Sequence, residues 1–338
     1  VSTPSDALAI TVDTTAPTVS SIAITGATGA LASTLNAGDV VSATVTMDSN
    51  TVVTGAPQLA LNIGGTTVQA SYASGSGTTE LVFTYTILAN QTDTDGISVD
   101  ANALSLNSGT LTDVAGNTAT ITSVAVAANN SYLVDTTAPT KPGTPDLDIN
   151  SDTGSSGSDD ITTDTTPTVT GSGQTEGDTI TLTSVVDGSV GTAVVANDGT
   201  WSITASALTV GTQSLTVTAT DAAGNVSTPS DALAITVDTT APTAQVTSTT
   251  SAGSYAQGDT VNITVTFDEA VTLGGTSPTL SAQLETGTTD RTVALTTADS
   301  GLTWTGVYTV QAGDTSSDLT VNTLVLGGTS PTLTDVAG

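Results

Sequence analysis

The residues of this chain that could do chemistry are carboxylates, and they are densest in residues 145–164. That segment carries an acid or amide at Asp146, Asp148, Asn150, Asp152, Asp159, Asp160 and Asp164. Ca²⁺ takes roughly six to eight hard oxygen ligands in flexible geometry, and acids spaced along a Gly- and Ser-rich loop can converge on one ion. We therefore predict a Ca²⁺-binding loop here. It is not an EF-hand, because the Gly at the sixth loop position, the Glu at the twelfth and the flanking helices are missing.

The alternative interpretation of residues 145–164 is a solvated, disordered acidic linker. The segment lies between Pro142-Gly143 and an apolar run around Val169, where its like charges would repel one another. Two carboxylates about 4 Å apart repel by roughly 1 kcal/mol in bulk water and by several times that near a protein. A bound cation would relieve this repulsion.

The composition excludes several classes of function. The chain has 338 residues and a net charge of −30, with 32 acids against two basic residues, Lys141 and Arg291. Nucleic acid is excluded as a partner, because there is no set of basic side chains to displace counterions from phosphates. With no His and no Cys, the chain has no Ser-His-Asp or Cys-His catalysis, no disulfide and no His-ligated zinc. Glycosidases work with paired carboxylates alone, but these acids lie at repeated turn positions, so we predict no enzyme.

Internal repeats divide the chain. Residues 1–18 and 226–243 have the same eighteen letters, VSTPSDALAITVDTTAPT, and the string VDTTAPT recurs at residues 134–140. A Pro after an apolar strand forces extended backbone on the preceding residue and ends strand pairing. We predict a leading strand at 1–12, which would be the last strand of a preceding domain, followed by domains at 13–134, 135–237 and 238–338.

Apolar residues alternate with Thr and Ser through most of the chain, as in Leu59, Leu61 and Ile63. This period of two is typical of half-buried strands, and many short strands between turn residues indicate β-sandwiches. The fold class predicted is therefore all-β, with tandem sandwich domains in a linear array. Trp201 follows an Asp-Gly turn, and we expect it in a core. No apolar run approaches the roughly eighteen residues of a membrane span, so no direct membrane insertion is expected.

Aspartates recur at equivalent places in the three domains. One ends each predicted last strand, at Asp13, Asp135 and Asp238, and an Asp-x-Ala-Gly turn follows within each domain, at Asp113, Asp221 and Asp335. If Asp113 or Asp221 lies at the same pole as the following linker Asp, one ion there would clamp consecutive domains. The alternative is that these acids only accept backbone hydrogen bonds in turns.

The two ends allow two interpretations. The first twelve residues match the last strand of the middle domain, whereas the third domain stops at Gly338, where the first still has residues 117–134 to run. The chain could be a window from a longer repeat array, with its third domain lacking its last strand. Alternatively, the leading strand could complete the open third domain of a neighbouring copy by strand addition.

The strings VDTTAPT, TDAAGNVSTPSD and PDLDINSDTGSSGSDDITTDTTPT resemble those of bacterial immunoglobulin-like tandem repeats in giant repeats-in-toxin (RTX) surface adhesins. The resemblance implies a β-sandwich extender that binds Ca²⁺ in its loops and at its junctions. By matching motifs it assigns ligand roles to eight aspartates, Asp146, Asp148, Asp152, Asp159, Asp164, Asp221, Asp135 and Asp238. The first domain departs at Ser49, where the third has Glu269, so a site that uses Glu269 is expected in only one of them.

We therefore predict a structural stalk at the bacterial cell surface that projects an adhesive tip and supports adhesion or biofilm formation. Its partners would be the neighbouring Ig-like domains of the same long chain, stiffened by Ca²⁺. The alternative is a subunit of a self-assembling surface filament or S-layer, joined to other copies by strand exchange.

Overall fold

The computed structural model describes residues 10–338, which form strands and turns and contain no helix. Three groups of strands each enclose a hydrophobic core of their own. We refer to residues 18–135 as the first unit, residues 146–237 as the middle unit and residues 244–338 as the third unit. The all-β prediction is confirmed.

The first unit contains ten strands. They are β1 (Val19–Thr28), β2 (Thr34–Leu35), β3 (Val40–Thr54), β4 (Gln58–Ile63), β5 (Thr66–Ser74), β6 (Thr78–Thr86), β7 (Thr92–Asp93), β8 (Leu104–Ser105), β9 (Thr110–Thr112) and β10 (Leu133–Asp135). One sheet has the order β1-β3-β6-β5-β4-β8, with β9 also paired to β3, and a small sheet has the order β2-β10-β7. Alternate residues Leu59, Leu61 and Ile63 of β4 are buried, so the period of two in the sequence faces the core as predicted.

The middle unit contains eight strands. They are β11 (Asp146–Leu147), β12 (Ile161–Thr162), β13 (Thr168–Gly171), β14 (Thr179–Ser184), β15 (Gly188–Val194), β16 (Trp201–Thr204), β17 (Gly211–Thr220) and β18 (Leu233–Val237). They form two sheets, β11-β13-β16 and β12-β18-β17-β14-β15. Residues 145–164 therefore carry a strand of each sheet, β11 and β12, and connect the two across the core.

The third unit contains six strands in the order β19-β20-β23-β22-β21-β24. They are β19 (Ala244–Thr247), β20 (Thr260–Phe267), β21 (Thr272–Leu284), β22 (Arg291–Thr297), β23 (Thr303–Thr309) and β24 (Val321–Thr334). β21 and β24 pair over most of their length, with register shifts near Gly274 and Thr276. The turn that begins at Asp335 follows β24 directly.

The predicted leading strand, 1–12, lies mostly outside the described residues, because the description begins at residue 10. Residues 10–17 form no strand, and the side chains of Ile10 and Val12 are 69 % and 81 % exposed. The same letters in the middle unit, Ile235 and Val237, are 1 % and 0 % exposed in β18. Burial of this string therefore depends on whether a sheet receives it.

Trp201 is the largest side chain in the middle core and is 5 % exposed, which confirms the prediction that it is a core residue. Gly171 lies opposite it on the neighbouring strand β13. A Cβ at Gly171 would come within 2.2 Å of Trp201 Cζ2. The indole can cross β13 only because residue 171 has no side chain.

We expect Gly171→Ala to destabilise the middle unit by about 1–3 kcal/mol, the usual cost of overpacking a core. Thermal unfolding followed by Trp fluorescence measures the effect. The matched control is Gly143→Ala, since a Cβ at Gly143 meets nothing within 4 Å. Equal melting temperatures for the two variants would contradict the proposed packing of Trp201 on Gly171.

Candidate metal centre

Three of the predicted ligands in residues 145–164 have local structural partners. Asp146 is in β11, opposite Thr170. Asp148 Oδ1 accepts hydrogen bonds from the backbone N–H and the side-chain amide of Asn150, at 2.9 and 2.8 Å. Asp164 Oδ1 accepts one from the backbone N–H of Thr166 at 2.8 Å. We call residues 145–164 the acidic loop. These hydrogen bonds shape the turns at its two ends.

The middle of the acidic loop holds carboxylates with less compensation. Asp152 is 7 % exposed, and its Oδ1 is buried without a hydrogen-bond partner. Burial, followed by the charges of Asp159 and Asp160, raises the pKa of Asp152. Burial also raises the pKa of Asp160, with the charges of Asp146 and Asp159 adding to it. The structure thus places Asp146, Asp152, Asp159 and Asp160 near one another. Asp159 is the compensated member: burial raises its pKa, but the Ser155 hydroxyl and the N–H groups of Ser156 and Ile161 donate to it at 3.1, 2.9 and 3.2 Å and together lower its pKa.

The Asp-x-Ala-Gly turns lie beside the linker that precedes each unit. The Asn117 amide donates to the backbone oxygen of Asp13 at 3.1 Å, and the Asn225 amide donates to that of Asp135 at 2.9 Å. The sequence predicts a clamp only if Asp221 lies at the same pole as the following linker residue, Asp238. β17 separates them, since its first residue, Gly211, pairs with Val237 and its last immediately precedes Asp221.

In the third unit the same geometry brings three acids together. One carboxylate oxygen each from Asp238, Glu269 and Asp335 lie within 4.8 Å of one another. Asp238 is a linker residue, Glu269 follows β20, and Asp335 begins the turn after β24. We call these three residues the junction triad.

Backbone donors hold two members of the junction triad in place. Asp335 is 7 % exposed, and its Oδ1 accepts the N–H groups of Ala337 and Gly338 at 2.8 and 3.0 Å. Asp238 Oδ1 accepts the N–H of Thr240 at 3.0 Å. These hydrogen bonds end on Oδ1 of each aspartate, which leaves Oδ2 of each available to bind a cation.

The charge on Glu269 is disfavoured. Burial raises its pKa, and the charges of Asp335, Asp238 and Asp268 raise it further. Both basic residues are already engaged elsewhere, Lys141 with Asp231 and Arg291 with Asp314, each at 2.8 Å. The chain therefore has no cationic side chain to spare for the junction triad.

The junction triad lies where the middle and third units touch. The Ser155 N–H, in the acidic loop, donates to the backbone oxygen of Val336 at 3.0 Å, and the Asp238 N–H donates to that of Thr162 at 2.9 Å. The turn containing Asp335 thus packs directly on the acidic loop of the preceding unit. An ion held by the triad would join linker, third unit and, through this turn, the acidic loop.

The first junction is built similarly. The Asn36 amide of the first unit donates to the backbone oxygen of Ala223 at 3.0 Å, in the turn that begins at Asp221. Asp178 is 6 % exposed, and burial and the charge of Asp221 raise its pKa. Asp39 and Asp259 follow a Gly at the equivalent positions of the first and third units, and they cap their turns by accepting backbone N–H groups at 2.9 and 2.7 Å. Asp178 is instead buried beside Asp221.

Carboxylates with a raised pKa occur in two kinds of place. The four whose pKa is raised lie in the acidic loop or beside a junction turn, and they are Asp152, Asp160, Asp178 and Glu269. In seven other aspartates hydrogen-bond donors are the main cause of a lowered pKa, and these are Asp48, Asp113, Asp187, Asp198, Asp268, Asp299 and Asp314. Grouped carboxylates are a ligand set for a hard cation such as Ca²⁺, whereas most transition metals prefer nitrogen or sulfur. The residues present therefore fit calcium.

Four acids that the structure places in these groups were outside the set assigned from sequence, and they are Glu269, Asp335, Asp160 and Asp178. Asp335 carried a usable signal, because it occupies the position of Asp221 in the shared Asp-x-Ala-Gly string. Glu269 stood out only as a difference from Ser49 of the first unit. Its approach to Asp238 depends on the direction that the chain takes after the last residue of β20, and no local sequence pattern predicts that direction.

The middle unit provides the link to known proteins. Residues 137–239 match the family model of the bacterial Ig-like domain. No curated protein sequence matches the chain. Within the described part, no helix is long and apolar enough to span a bilayer.

Among solved structures, the chain is similar to a Ca²⁺-stabilized adhesin that helps an Antarctic bacterium reach out and bind ice. Identity is 21 %, coverage is 95 % of this chain and 73 % of that one, and the TM-score is 0.32. It is also similar to the BSP domain of a biofilm associated protein, with 20 % identity, 65 % and 30 % coverage and a TM-score of 0.21. A third similar structure contains fibronectin(III)-like modules of Clostridium thermocellum CbhA. Identity is 16 %, coverage is 64 % of this chain and 94 % of that one, and the TM-score is 0.29. At these TM-scores the similarities carry no functional argument.

The pKa of Asp152 is raised and that of Asp198 is lowered. Removing the charge of each residue, in buffer that contains EDTA, should therefore have opposite effects on the stability of the fold. Because its pKa is raised, ionised Asp152 destabilises the folded chain at pH 7, and the penalty disappears as the pH falls through its pKa. Asp152→Asn should therefore raise the free energy of unfolding at pH 7 by about 0.2–1 kcal/mol, allowing for solvent screening, and the melting temperature should rise with it.

The matched control is Asp198→Asn. Asp198 accepts the N–H and hydroxyl of Thr200 at 3.0 and 2.6 Å, and these bonds lower its pKa. Its charge stabilises the fold above its ordinary pKa, so this variant should melt at a lower temperature than the parent. Shifts of the same sign in both variants, measured by thermal unfolding in EDTA, would contradict the distinction drawn between the two environments.

Proposed function

We propose that the chain is an extender region of a large bacterial cell-surface adhesin, in which Ca²⁺ at the junctions stiffens a row of Ig-like units. The observation that carries the proposal is the junction triad, which lies at the contact between two consecutive units. An ion there restricts the angle between the units, which is a mechanical role and requires no catalysis. The match of residues 137–239 to the bacterial Ig-like domain supports a bacterial surface protein.

The geometry supports stiffening because the ligands come from different segments. Asp238 belongs to the linker, whereas Glu269 and Asp335 belong to two strand ends of the third unit. Without a cation the three carboxylates repel, and a linker freed from Glu269 would be able to bend. When Ca²⁺ is bound, the same three carboxylates would all be attracted to the ion, which would hold the linker against the third unit.

The acidic loop is the second proposed site. Asp152, with its buried unpaired Oδ1, would be its central ligand, and Asp146 and Asp159 would join it. We keep Asp148 and Asp164 as proposed ligands through the oxygen that their turns do not use. Asp221 and Asp135, joined through Asn225, would form the corresponding site at the first junction with Asp178.

Calcium should raise the melting temperature of the chain and narrow the range of angles between its consecutive units. A ligand at one hundred times its Kd stabilises the folded state by about 2.7 kcal/mol, and extracellular modules bind Ca²⁺ with Kd near 0.1–1 mM. About 10 mM Ca²⁺ should thus raise the transition of a unit of this size by on the order of 10 °C relative to EDTA. Calorimetry and small-angle scattering are the measurements.

Mg²⁺ at the same concentration is the control, because it screens the charge of −30 equally but keeps its own waters and demands octahedral geometry. If Mg²⁺ raised the transition as much as Ca²⁺, or if neither changed it, the proposed calcium sites would be rejected.

Glu269→Gln should reverse its effect between the two conditions. In EDTA the neutral amide removes a charge whose pKa is raised by burial and by Asp335 and Asp238, so the variant should be more stable than the parent at pH 7. In Ca²⁺ it lacks a ligand and should gain less stability than the parent. Glu80→Gln, an exposed acid in β6, should behave like the parent in both buffers, and the absence of any crossover for Glu269→Gln would remove Glu269 from the site.

A further inference from the structure

The acidic loop and the junction triad are joined by two backbone hydrogen bonds. The Ser155 N–H of the loop donates to the oxygen of Val336, the residue after the triad member Asp335, at 3.0 Å. The N–H of the triad member Asp238 donates to the oxygen of Thr162, in β12, at 2.9 Å. Two of the three segments that carry the triad are thus bonded to the main chain of the acidic loop.

Asp159 lies between these two contacts in the loop. Its Oδ2 accepts the hydroxyl of Ser155 at 3.1 Å, and its Oδ1 accepts the N–H of Ile161, the neighbour of Thr162, at 3.2 Å. Ser155 therefore makes one contact with each site, because its side chain bonds a proposed ligand of the loop and its main chain bonds the turn of the triad. Asp159 is linked in this way to both places where the loop contacts the triad segments.

The buried carboxylate of the loop belongs to the same arm as Ser155. Asp152 is 7 % exposed, and its Oδ1 has no hydrogen-bond partner. Between these two residues, the Gly154 N–H donates to the oxygen of Ile161 at 2.9 Å, which connects this arm to the one that carries Thr162. The group that a cation would satisfy is therefore two hydrogen bonds or fewer from each contact with the third unit.

The two arms of the loop carry like charges. The charges of Asp159 and Asp160 act on Asp152, and without a cation this repulsion favours separation of the arms. Separation would move the N–H of Ser155 and the oxygen of Thr162 away from the triad segments. A cation bound to Asp152 and Asp159 would draw the arms together and hold both contacts in place.

We propose that the acidic loop and the junction triad bind calcium cooperatively, with Ser155 as the positioning residue between them. This coupling rests on the proposed function, because it requires both sites to bind calcium. Each ion orders the contact that the other ion needs, so the second ion binds to a chain that is already arranged. By linkage the effect is equal in the two directions, and such couplings change an affinity by about 5–150-fold.

Cooperative binding makes the response of the junction sharper. Coupling reduces the fraction of chains that hold only one of the two ions, so the loop and the linker become rigid together. Direct repulsion between the two ions acts in the opposite sense, and 0.15 M salt screens it beyond about 8 Å. The coupling is therefore best measured at this ionic strength.

Backbone amide signals followed by nuclear magnetic resonance during a calcium titration resolve the two sites. The Ala337 N–H donates to a triad carboxylate at 2.8 Å, and the Ile161 N–H donates to a carboxylate of the acidic loop at 3.2 Å. We expect Asp152→Asn to raise the calcium concentration at the midpoint of the Ala337 signal at least about fivefold. Glu269→Gln should raise the midpoint of the Ile161 signal by the same factor.

Ser155→Ala separates the coupling from effects of charge, because it alters neither a ligand nor a charge. It removes the hydroxyl that bonds Asp159 and should raise the Ala337 midpoint by about two- to tenfold, the worth of one hydrogen bond. Ser155→Thr, which keeps a hydroxyl, should retain the midpoint of the parent. The matched control is Ser158→Ala, whose hydroxyl is paired with that of Ser156 at 3.1 Å, and it should leave the midpoint unchanged.

The first junction provides an internal control. Its turn is bonded by the side-chain amide of Asn36, from the first unit, and not by an acidic loop. The Ala223 N–H donates to Asp221 Oδ1 at 2.9 Å, as that of Ala337 does to Asp335 at 2.8 Å. The midpoint of the Ala223 signal should therefore be the same in the parent and in every variant.

The possible results separate the coupling from the proposed function. If both signals titrate but their midpoints stay within about twofold of the parent in Asp152→Asn and Glu269→Gln, the sites are independent, which overturns the coupling and leaves the extender function intact. A shift in Asp152→Asn with none in Ser155→Ala would assign the effect to charge and would also overturn it. If neither signal changes up to about 10 mM calcium, well above the Kd of extracellular modules, the calcium sites are rejected and the coupling with them.

Discussion

A carboxylate that leaves water must find a donor or a cation, and this constraint organises the molecule. Many of the aspartates find donors within their own turn, whereas Asp48 finds them at the end of the preceding linker, in the N–H and hydroxyl of Thr18 at 2.8 and 2.6 Å. Asp268 repeats this contact with Thr243 at 2.7 and 2.7 Å. In both cases the Thr ends the VDTTAPT string, so the linker is bonded to β3 in the first unit and to the residue after β20 in the third. The carboxylates left over collect where units meet.

Identical linkers therefore do not make identical junctions. The first and third units share the Asp–Thr fastening, but Ser49 occupies the position of Glu269, so the first unit lacks the third member of the triad. The middle unit uses Asp178, at the start of β14, instead of an acid at the end of a long strand. Each junction draws its additional acid from a different part of the sheet, because the units are built on two different strand arrangements.

Sequence was sufficient for the parts of this molecule that are local. Period-two burial in β4, the core position of Trp201 and the aspartates of the recurring turns all follow from side-chain type and spacing of a few residues. The pole at which a turn lies was not predictable, because it depends on the number and direction of strands between the turn and the linker. Asp221 and Asp238 illustrate this, since β17 and β18 run antiparallel and separate them by the length of a strand. The approach of Glu269 to Asp238 and Asp335 was not predictable for the same reason.

The chemistry of the junction follows from the number of its ligands. With one oxygen each, the three carboxylates would supply three of the roughly six to eight oxygens that Ca²⁺ takes, so backbone oxygens and water would complete the sphere. A calcium site of this kind, as proposed, would bind in the range of extracellular modules, and not as tightly as an intracellular buffer. Repulsion in the empty site and attraction in the filled one act on the same three residues, Asp238, Glu269 and Asp335. The stiffness of the linker would then vary most steeply over the calcium concentrations that surround a cell, which is where a spacer at the surface would have to hold its shape.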